Sequence, residues 1–143
     1  MPVASFDHQA LAAAPPEAVW RRLQDPETWA TVAGVDTTSE HVHHGDRLTA
    51  FRFTTSVGGM TYRGTARVTE ALITQRMTLT ISTNELTGTI TVALEERAPG
   101  TALMVGMRVE PVGMLGSVMF PAVRSAVSDG FTDSVERLAA AMT

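Results

Sequence analysis

The stretch from Val35 to Pro111 constrains the fold most, because its hydrophobic pattern has a period of two, which is cleanest from Met77 onwards. Such alternation gives each strand one buried and one solvated face, which is typical of an antiparallel sheet packed on one side only. Turn-forming residues such as Gly58-Gly59 divide the stretch repeatedly. The pattern predicts six consecutive strands, at residues 36–43, 47–57, 60–71, 75–83, 86–97 and 101–110.

The segments before these strands add one strand and two short helices. Residues 3–11 alternate weakly and predict a first strand. A helix over residues 16–23 follows, since proline suits the first helical turn. A second short helix is predicted to start at Asp25-Pro26, where Asp25 is a natural N-cap, and to end at Gly34.

The end of the chain changes to helical periodicity. Apolar residues from Leu115 to Met142 recur at steps of three or four, which predicts a long C-terminal helix. Pro121 is expected to end a short preceding turn or to kink this helix, and Gly116-Ser117 is interpreted as local capping. The whole order is that of an α+β helix-grip fold, a curved seven-stranded antiparallel sheet around a long helix. We expect residues 1–143 to form a single domain of this kind.

The composition excludes several classes of function. The chain has no cysteine and no lysine, so a thiol nucleophile, a thiolate zinc site and Schiff-base chemistry are all excluded. A net charge of −4 with scattered arginines argues against a nucleic-acid partner. The start of the chain lacks the features of a signal peptide, and no apolar stretch is long enough to cross a membrane, which predicts a cytoplasmic protein.

Several stretches resemble one known superfamily. The run from Ala14 to Trp20, followed by Asp25-Pro26 and Trp29, resembles the opening of START-like (SRPBCC) proteins, in particular their polyketide cyclase/dehydrase and lipid-transport branch. The stretch from Tyr62 to Glu70 resembles that family's fourth strand, and Gly116 to Met142 resembles its long helix. The resemblance covers essentially the whole chain and implies a ligand cavity between the sheet and the C-terminal helix. It implies little about function, because members include lipid carriers, hormone receptors and aromatase/cyclases.

The candidates for this cavity are the large apolar side chains of the inner face and two polar ones. They are His8, Phe51, Phe53, Tyr62, Met77, Met107, Met119 and Phe131. Polar groups that face inward fix the orientation of a ligand, so His8 and Tyr62 matter most. They are also the acid–base pair we would expect if the protein is an enzyme. Each of the eight residues could instead belong to a dry core.

A second group of polar residues carries no clear chemistry. His41, His43 and His44 are close in sequence, but nothing nominates a further ligand that would complete a zinc site. The chain also lacks a G-x-S-x-G elbow, a phosphate loop and a dinucleotide fingerprint. We therefore expect neither a metal nor a cofactor.

Three functions remain open at this point. The leading hypothesis is the binding or carriage of a small hydrophobic molecule, such as a lipid, a polyketide or an aromatic metabolite. The second is a polyketide cyclase, aromatase or dehydratase that uses His8 and Tyr62. The third is a protein-interaction module with a filled core. A small apolar ligand is the expected partner, and the chain is expected to be a monomer or a homodimer.

Overall fold

The computed structural model describes residues 3–29, 35–57 and 59–142. The elements are β1 Ala4–Ala12, α1 Pro16–Leu23, α2 Pro26–Trp29, β2 Val35–His44, β3 Arg47–Val57, β4 Met60–Leu72, β5 Arg76–Thr83, β6 Leu86–Arg97, β7 Gly100–Pro111 and α3 Gly113–Ala141. The predicted α+β order is confirmed, and every predicted strand agrees with the observed one to within a residue at each end. The predicted end of α2 at Gly34 lies outside the described residues.

All seven strands belong to one antiparallel sheet. Their order is β1-β7-β6-β5-β4-β3-β2, so consecutive strands pair as hairpins while β1 closes the far side against β7. β2 forms the other edge and pairs irregularly with β3, with register shifts around Ser39 and Val42. Glu40 has a φ of 48°, within this irregular stretch. Bulges of this kind twist an exposed edge and discourage pairing with a second chain.

The inner face of the sheet, which we define as the face that α3 covers, carries the alternating apolar residues. The register aligns Phe6 with Met107, Met107 with Ile90, and Ile90 with Leu79 across four neighbouring strands. Ile90, Leu79 and Met107 are buried. The alternation in the sequence therefore becomes one continuous apolar surface that a single helix must cover.

The two short helices close one end of this surface. Val19, Trp20 and Leu23 of α1 are buried, and the indole Nε1 of Trp29 in α2 donates a hydrogen bond to the carbonyl of Leu23 at 2.9 Å. The Gln24 side chain between the helices accepts a hydrogen bond from the backbone N–H of Leu48 in β3 at 3.0 Å. These bonds tie the helices to each other and to the sheet.

α3 runs without interruption through Pro121. The prediction that Pro121 could end a preceding turn is wrong, because the helix already begins at Gly113. Proline inside a helix removes one backbone hydrogen bond and costs about 3 kcal/mol. The burial of Phe120 and Val123 on either side of Pro121 offsets this cost. Within the described ranges, no helix combines the length and the hydropathy needed to cross a membrane.

The first turns of α3 correct a further interpretation. Gly116 does not cap the helix: a Cβ at this position would overlap the carbonyl oxygen of Glu85, in the turn between β5 and β6. The same oxygen accepts a hydrogen bond from the backbone N–H of Val112 at 2.8 Å. Ser117 donates to the Gly113 carbonyl at 3.0 Å, inside the helix. Glycine is needed here because the helix backbone lies directly against the β5–β6 turn.

Candidate functional site

A cavity of ≈ 70 Å³ lies between the inner face of the sheet and the N-terminal half of α3. The described residues that line it are Trp29, Val35, Phe51, Phe53, Thr55, Tyr62, Ala66, Leu79, Ile81, Thr83, Leu86, Ile90, Met107, Val109, Val123 and Val127. All of them except Thr55, Tyr62 and Thr83 are apolar. The cavity is therefore suited to an apolar occupant, as ligand pockets with few polar groups generally are.

The position of the cavity follows from the size of the side chains on the inward face of α3. This face carries Phe120, Val123, Val127 and Phe131 at helical spacing, and all four are buried. The two valines are shorter than the phenylalanines before and after them, so the helix surface is recessed where they lie. The sheet is recessed opposite them as well, because Ala66 lies on the cavity wall. Two recesses that face each other leave the space.

The hydroxyl of Tyr62 is a polar group of the cavity wall that has no hydrogen-bond partner among the described residues. Its side chain is 3% exposed, and its hydroxyl is the one buried side-chain polar atom without a hydrogen-bond partner among the described residues. The Thr83 hydroxyl, in contrast, accepts hydrogen bonds from the backbone N–H groups of Glu85 and Leu86, at 3.2 and 2.9 Å. A buried polar group without a partner costs about 1–3 kcal/mol. This is the cost that a suitable ligand would remove.

The electrostatics of the site keep this hydroxyl protonated. Burial raises the pKa of Tyr62 above its usual 10.0, and the negative charge of Glu85 raises the pKa further. At neutral pH the phenol therefore retains its proton and can donate a hydrogen bond. Arg63, the next residue in β4, is exposed and offers no positive charge within the cavity.

The structure brings together four of the eight residues predicted for the site. Phe51, Phe53, Tyr62 and Met107 line the cavity. The remaining four, His8, Met77, Met119 and Phe131, are not on its wall. In particular, His8 and Tyr62 do not meet, so the acid–base pair expected from the sequence is not assembled.

The reason is that three of these four residues have partners elsewhere. The His8 imidazole Nε2 lies 2.8 Å from the Oε1 atom of Glu136 in α3. The Phe131 ring packs against Phe6, with the ring centroids 5.8 Å apart. Met77 is fully buried, and its sulfur accepts a hydrogen bond from Gln24 at 3.6 Å. Met119 is partly buried on α3 and does not reach the cavity.

The histidine group in β2 lies outside the cavity. His43 Nε2 lies 2.9 Å from the backbone carbonyl of Gln24, and His41 Nε2 lies 3.0 Å from the Thr38 hydroxyl. His44 is exposed. His41 and His43 therefore interact with different groups. No group of three or more side chains suited to holding a metal ion occurs in the described part of the chain.

Sequence reasoning missed the small residues of the wall. Ala66, Val123 and Val127 create the recesses, yet none of them was a candidate. The alternation did indicate one of them, because Ala66 lies four residues after Tyr62 and therefore on the same strand face. The candidates for the cavity were chosen among large side chains, whereas a cavity forms where side chains are small.

The chain matches one protein family over nearly its whole length. The family model described as "Polyketide cyclase / dehydrase and lipid transport" matches residues 3–143. A comparison with curated proteins returned no significant match.

Solved structures with the same fold include proteins from several bacteria. The chain is similar to a Thermus thermophilus protein at a TM-score of 0.75 and 16% identity, covering 95% of this chain and 94% of that one. A START superfamily protein from Mycobacterium smegmatis has a TM-score of 0.73 at 13% identity, covering 97% and 99%. The Zhui aromatase/cyclase from Streptomyces sp. R1128 has a TM-score of 0.72 at 15% identity, covering 96% and 94%. At such identities these similarities show the fold alone.

Proposed function

The chain belongs to the polyketide cyclase/dehydrase and lipid transport family, and we propose that it binds or carries a small hydrophobic molecule in the cavity between the sheet and α3. A lipid, a polyketide or an aromatic metabolite would be such a molecule. The observation that carries the proposal is a cavity with an almost entirely apolar wall and one buried hydroxyl, that of Tyr62, with no partner among the described residues.

The energetics of such binding come mainly from the apolar wall. Each Å² of apolar surface that leaves water contributes roughly 25 cal/mol. A hydrogen bond to Tyr62 would add orientation, because the wall offers few other polar groups. A protein-interaction module with a filled core would explain neither the cavity nor the unpaired hydroxyl.

The size of the cavity limits which ligands it can hold without rearrangement. A water molecule needs roughly 10–15 Å³ of cavity volume, so ≈ 70 Å³ corresponds to a few waters or a small organic group. A larger ligand must displace side chains of the wall. Met107 is suited to this, since its unbranched side chain adapts to irregular shapes.

An enzymatic function of the cyclase or dehydratase type has weaker support. General acid–base chemistry needs a positioned pair of groups, and Tyr62 is the one ionisable side chain on the described wall. His8, the expected second member of the pair, is engaged with Glu136. Similarity to an aromatase/cyclase at 15% identity does not extend to its activity.

Native mass spectrometry of the protein purified from its own host tests the proposal. We expect wild-type protein to carry a small-molecule adduct that dissociates on gentle activation. The matched control is Val127→Phe, because the larger ring would occupy the recess in α3. The adduct should be lost in this variant. An adduct retained at equal occupancy in Val127→Phe would place the molecule elsewhere and contradict the proposal.

A further inference from the structure

We infer that the ligand of this cavity is an uncharged molecule whose inward polar group is a hydrogen-bond acceptor, with a ketone, aldehyde or ester carbonyl as the matching chemical class. The inference rests on the proposed function and narrows it. It excludes fatty acids and other carboxylates, as well as phosphorylated molecules, from the cavity.

The need for an acceptor follows from the partners of the wall's hydroxyl groups. Thr83 donates its proton to the Leu86 carbonyl at 3.3 Å while accepting two backbone N–H groups, and Thr55 also has an interaction of its own. Tyr62 has none among the described residues. A buried donor that lacks an acceptor is tolerated less well than an acceptor with a spare lone pair. The missing partner is therefore an acceptor.

The need for an uncharged ligand follows from the charges around the wall. No arginine lines the cavity within the described residues. Arg52 and Arg63 are exposed, and Arg52 is engaged by Glu40, with its Nε 2.7 Å from the carboxylate Oε2. The negative charge of Glu85, in the turn between β5 and β6, acts on Tyr62 and raises its pKa.

A buried anion would therefore meet no positive partner and one negative neighbour. Taking a charged group out of water costs a great deal unless it is paired. Tyr62 alone could give a carboxylate one hydrogen bond, which leaves most of its lone pairs unsatisfied. An ammonium group would fare no better, because the phenol offers it a single weak acceptor.

Three probes of similar shape separate these chemical classes. They are cyclohexanone, methylenecyclohexane, in which a carbon replaces the carbonyl oxygen, and cyclohexanecarboxylate at neutral pH. Binding is measured by titration of the methyl resonances of the protein in NMR spectra, for wild type and for Tyr62→Phe. This variant keeps the ring and removes the hydroxyl.

We expect Tyr62→Phe to weaken cyclohexanone binding about 5- to 10-fold, as the loss of one neutral hydrogen bond does, and not to weaken methylenecyclohexane binding. Cyclohexanecarboxylate should bind at least tenfold more weakly than cyclohexanone to both proteins. An equal effect of Tyr62→Phe on the binding of the ketone and of the hydrocarbon would overturn the inference and leave the proposed function standing, and so would tighter binding of the carboxylate than of the ketone to wild type. If neither uncharged probe shifts the Val123 or Val127 methyl resonances, the proposed function itself fails.

Discussion

The two halves of α3 cover the same sheet with opposite results. The packed end, which we define by Phe131, Val135 and Leu138, is buried, does not line the cavity and is fixed to β1 by the Phe6–Phe131 contact. The cavity end, defined by Val123 and Val127, faces β3 to β7 across open space. Burial alone does not distinguish the two, since residues at both ends are hidden from solvent. The inward face of α3 carries Phe131 and Leu138 at the packed end but valines at the cavity end, so the side chains of the helix leave space there.

The largest expected effect compares two buried leucines, one at each end. Leu138→Ala should cost about 4–5 kcal/mol of unfolding free energy, because the tightly packed neighbours cannot collapse into the new space. Leu79→Ala at the cavity wall should cost about 2–3 kcal/mol, because Leu79 already lacks contacts on one side. Chemical denaturation of both variants measures the difference. Equal costs would show that the two ends are equally well packed.

Enlarging a side chain should also cost more stability at the packed end than at the cavity end. Val135 and Val127 lie two helical turns apart on α3, and both are buried. Val135→Phe should destabilise the protein by about 1–3 kcal/mol through overpacking. Val127→Phe should change the stability by less than about 1 kcal/mol, since its ring enters the cavity. Thermal melting of the pair tests this, and a large loss in Val127→Phe would mean that the recess in α3 is absent.

Two glycines of α3 differ in their surroundings. Gly116 lies against the β5–β6 turn, whereas Gly130 has open space beside it. A Cβ at Gly130 meets nothing within 4 Å, so Gly130→Ala should stabilise the protein by about 0.5–1 kcal/mol through helix propensity. At Gly116 the same propensity is opposed by overlap with Glu85, and Gly116→Ala should destabilise by about 1 kcal/mol or more. Urea unfolding of both variants gives the signs. Stabilisation by Gly116→Ala would contradict the contact between α3 and the β5–β6 turn.

The smallest expected effect is a pH dependence of stability, which arises from Tyr62 in the cavity wall. Tyr62 is the single tyrosine of the chain, so its ionisation can be followed by ultraviolet absorbance. The raised pKa predicts a transition above pH 10.0 in the folded protein. Between the unfolded and folded pKa values, the folded state holds more protons. Stability should therefore fall as the pH rises through this window.

Tyr62→Phe is the control for this pH dependence, because it cannot ionise at that position. The unfolding free energy of wild type should fall relative to that of the variant as the pH increases above about 10. A tyrosine transition at or below about pH 10 would mean that the hydroxyl is solvated rather than buried.

The fold was predictable from the sequence because the hydrophobic period reports which residues share a face. Alternation correctly predicted the seven strands, and it placed Phe51, Phe53 and Tyr62 on the inner face. Neither strand alternation nor helical periodicity tells how far along a face a residue lies, so Phe131 of α3, at the packed end, was grouped with residues of the cavity. The position of a residue along the inner face depends on the register between strands and on how α3 packs over the sheet. Neither is encoded in a local sequence pattern.

The fate of His8 shows a second limit of sequence reasoning. Its partner Glu136 lies 128 residues later in the chain, and no local signal links the two. The irregular register of β2, where Glu40 has a φ of 48°, was equally hidden, because hydrophobic alternation does not encode a bulge. Long-range polar contacts and bulges therefore have to come from the structure.

Crystallography under xenon pressure tests the contrast between the two ends most directly, because xenon enters dry apolar cavities without needing a specific ligand. We predict a xenon site bounded by Val123, Val127 and Ala66, and none beside Phe131 or Leu138. Continuous side-chain packing at Val127 with no xenon bound there would contradict the account, as would xenon bound at the packed end instead.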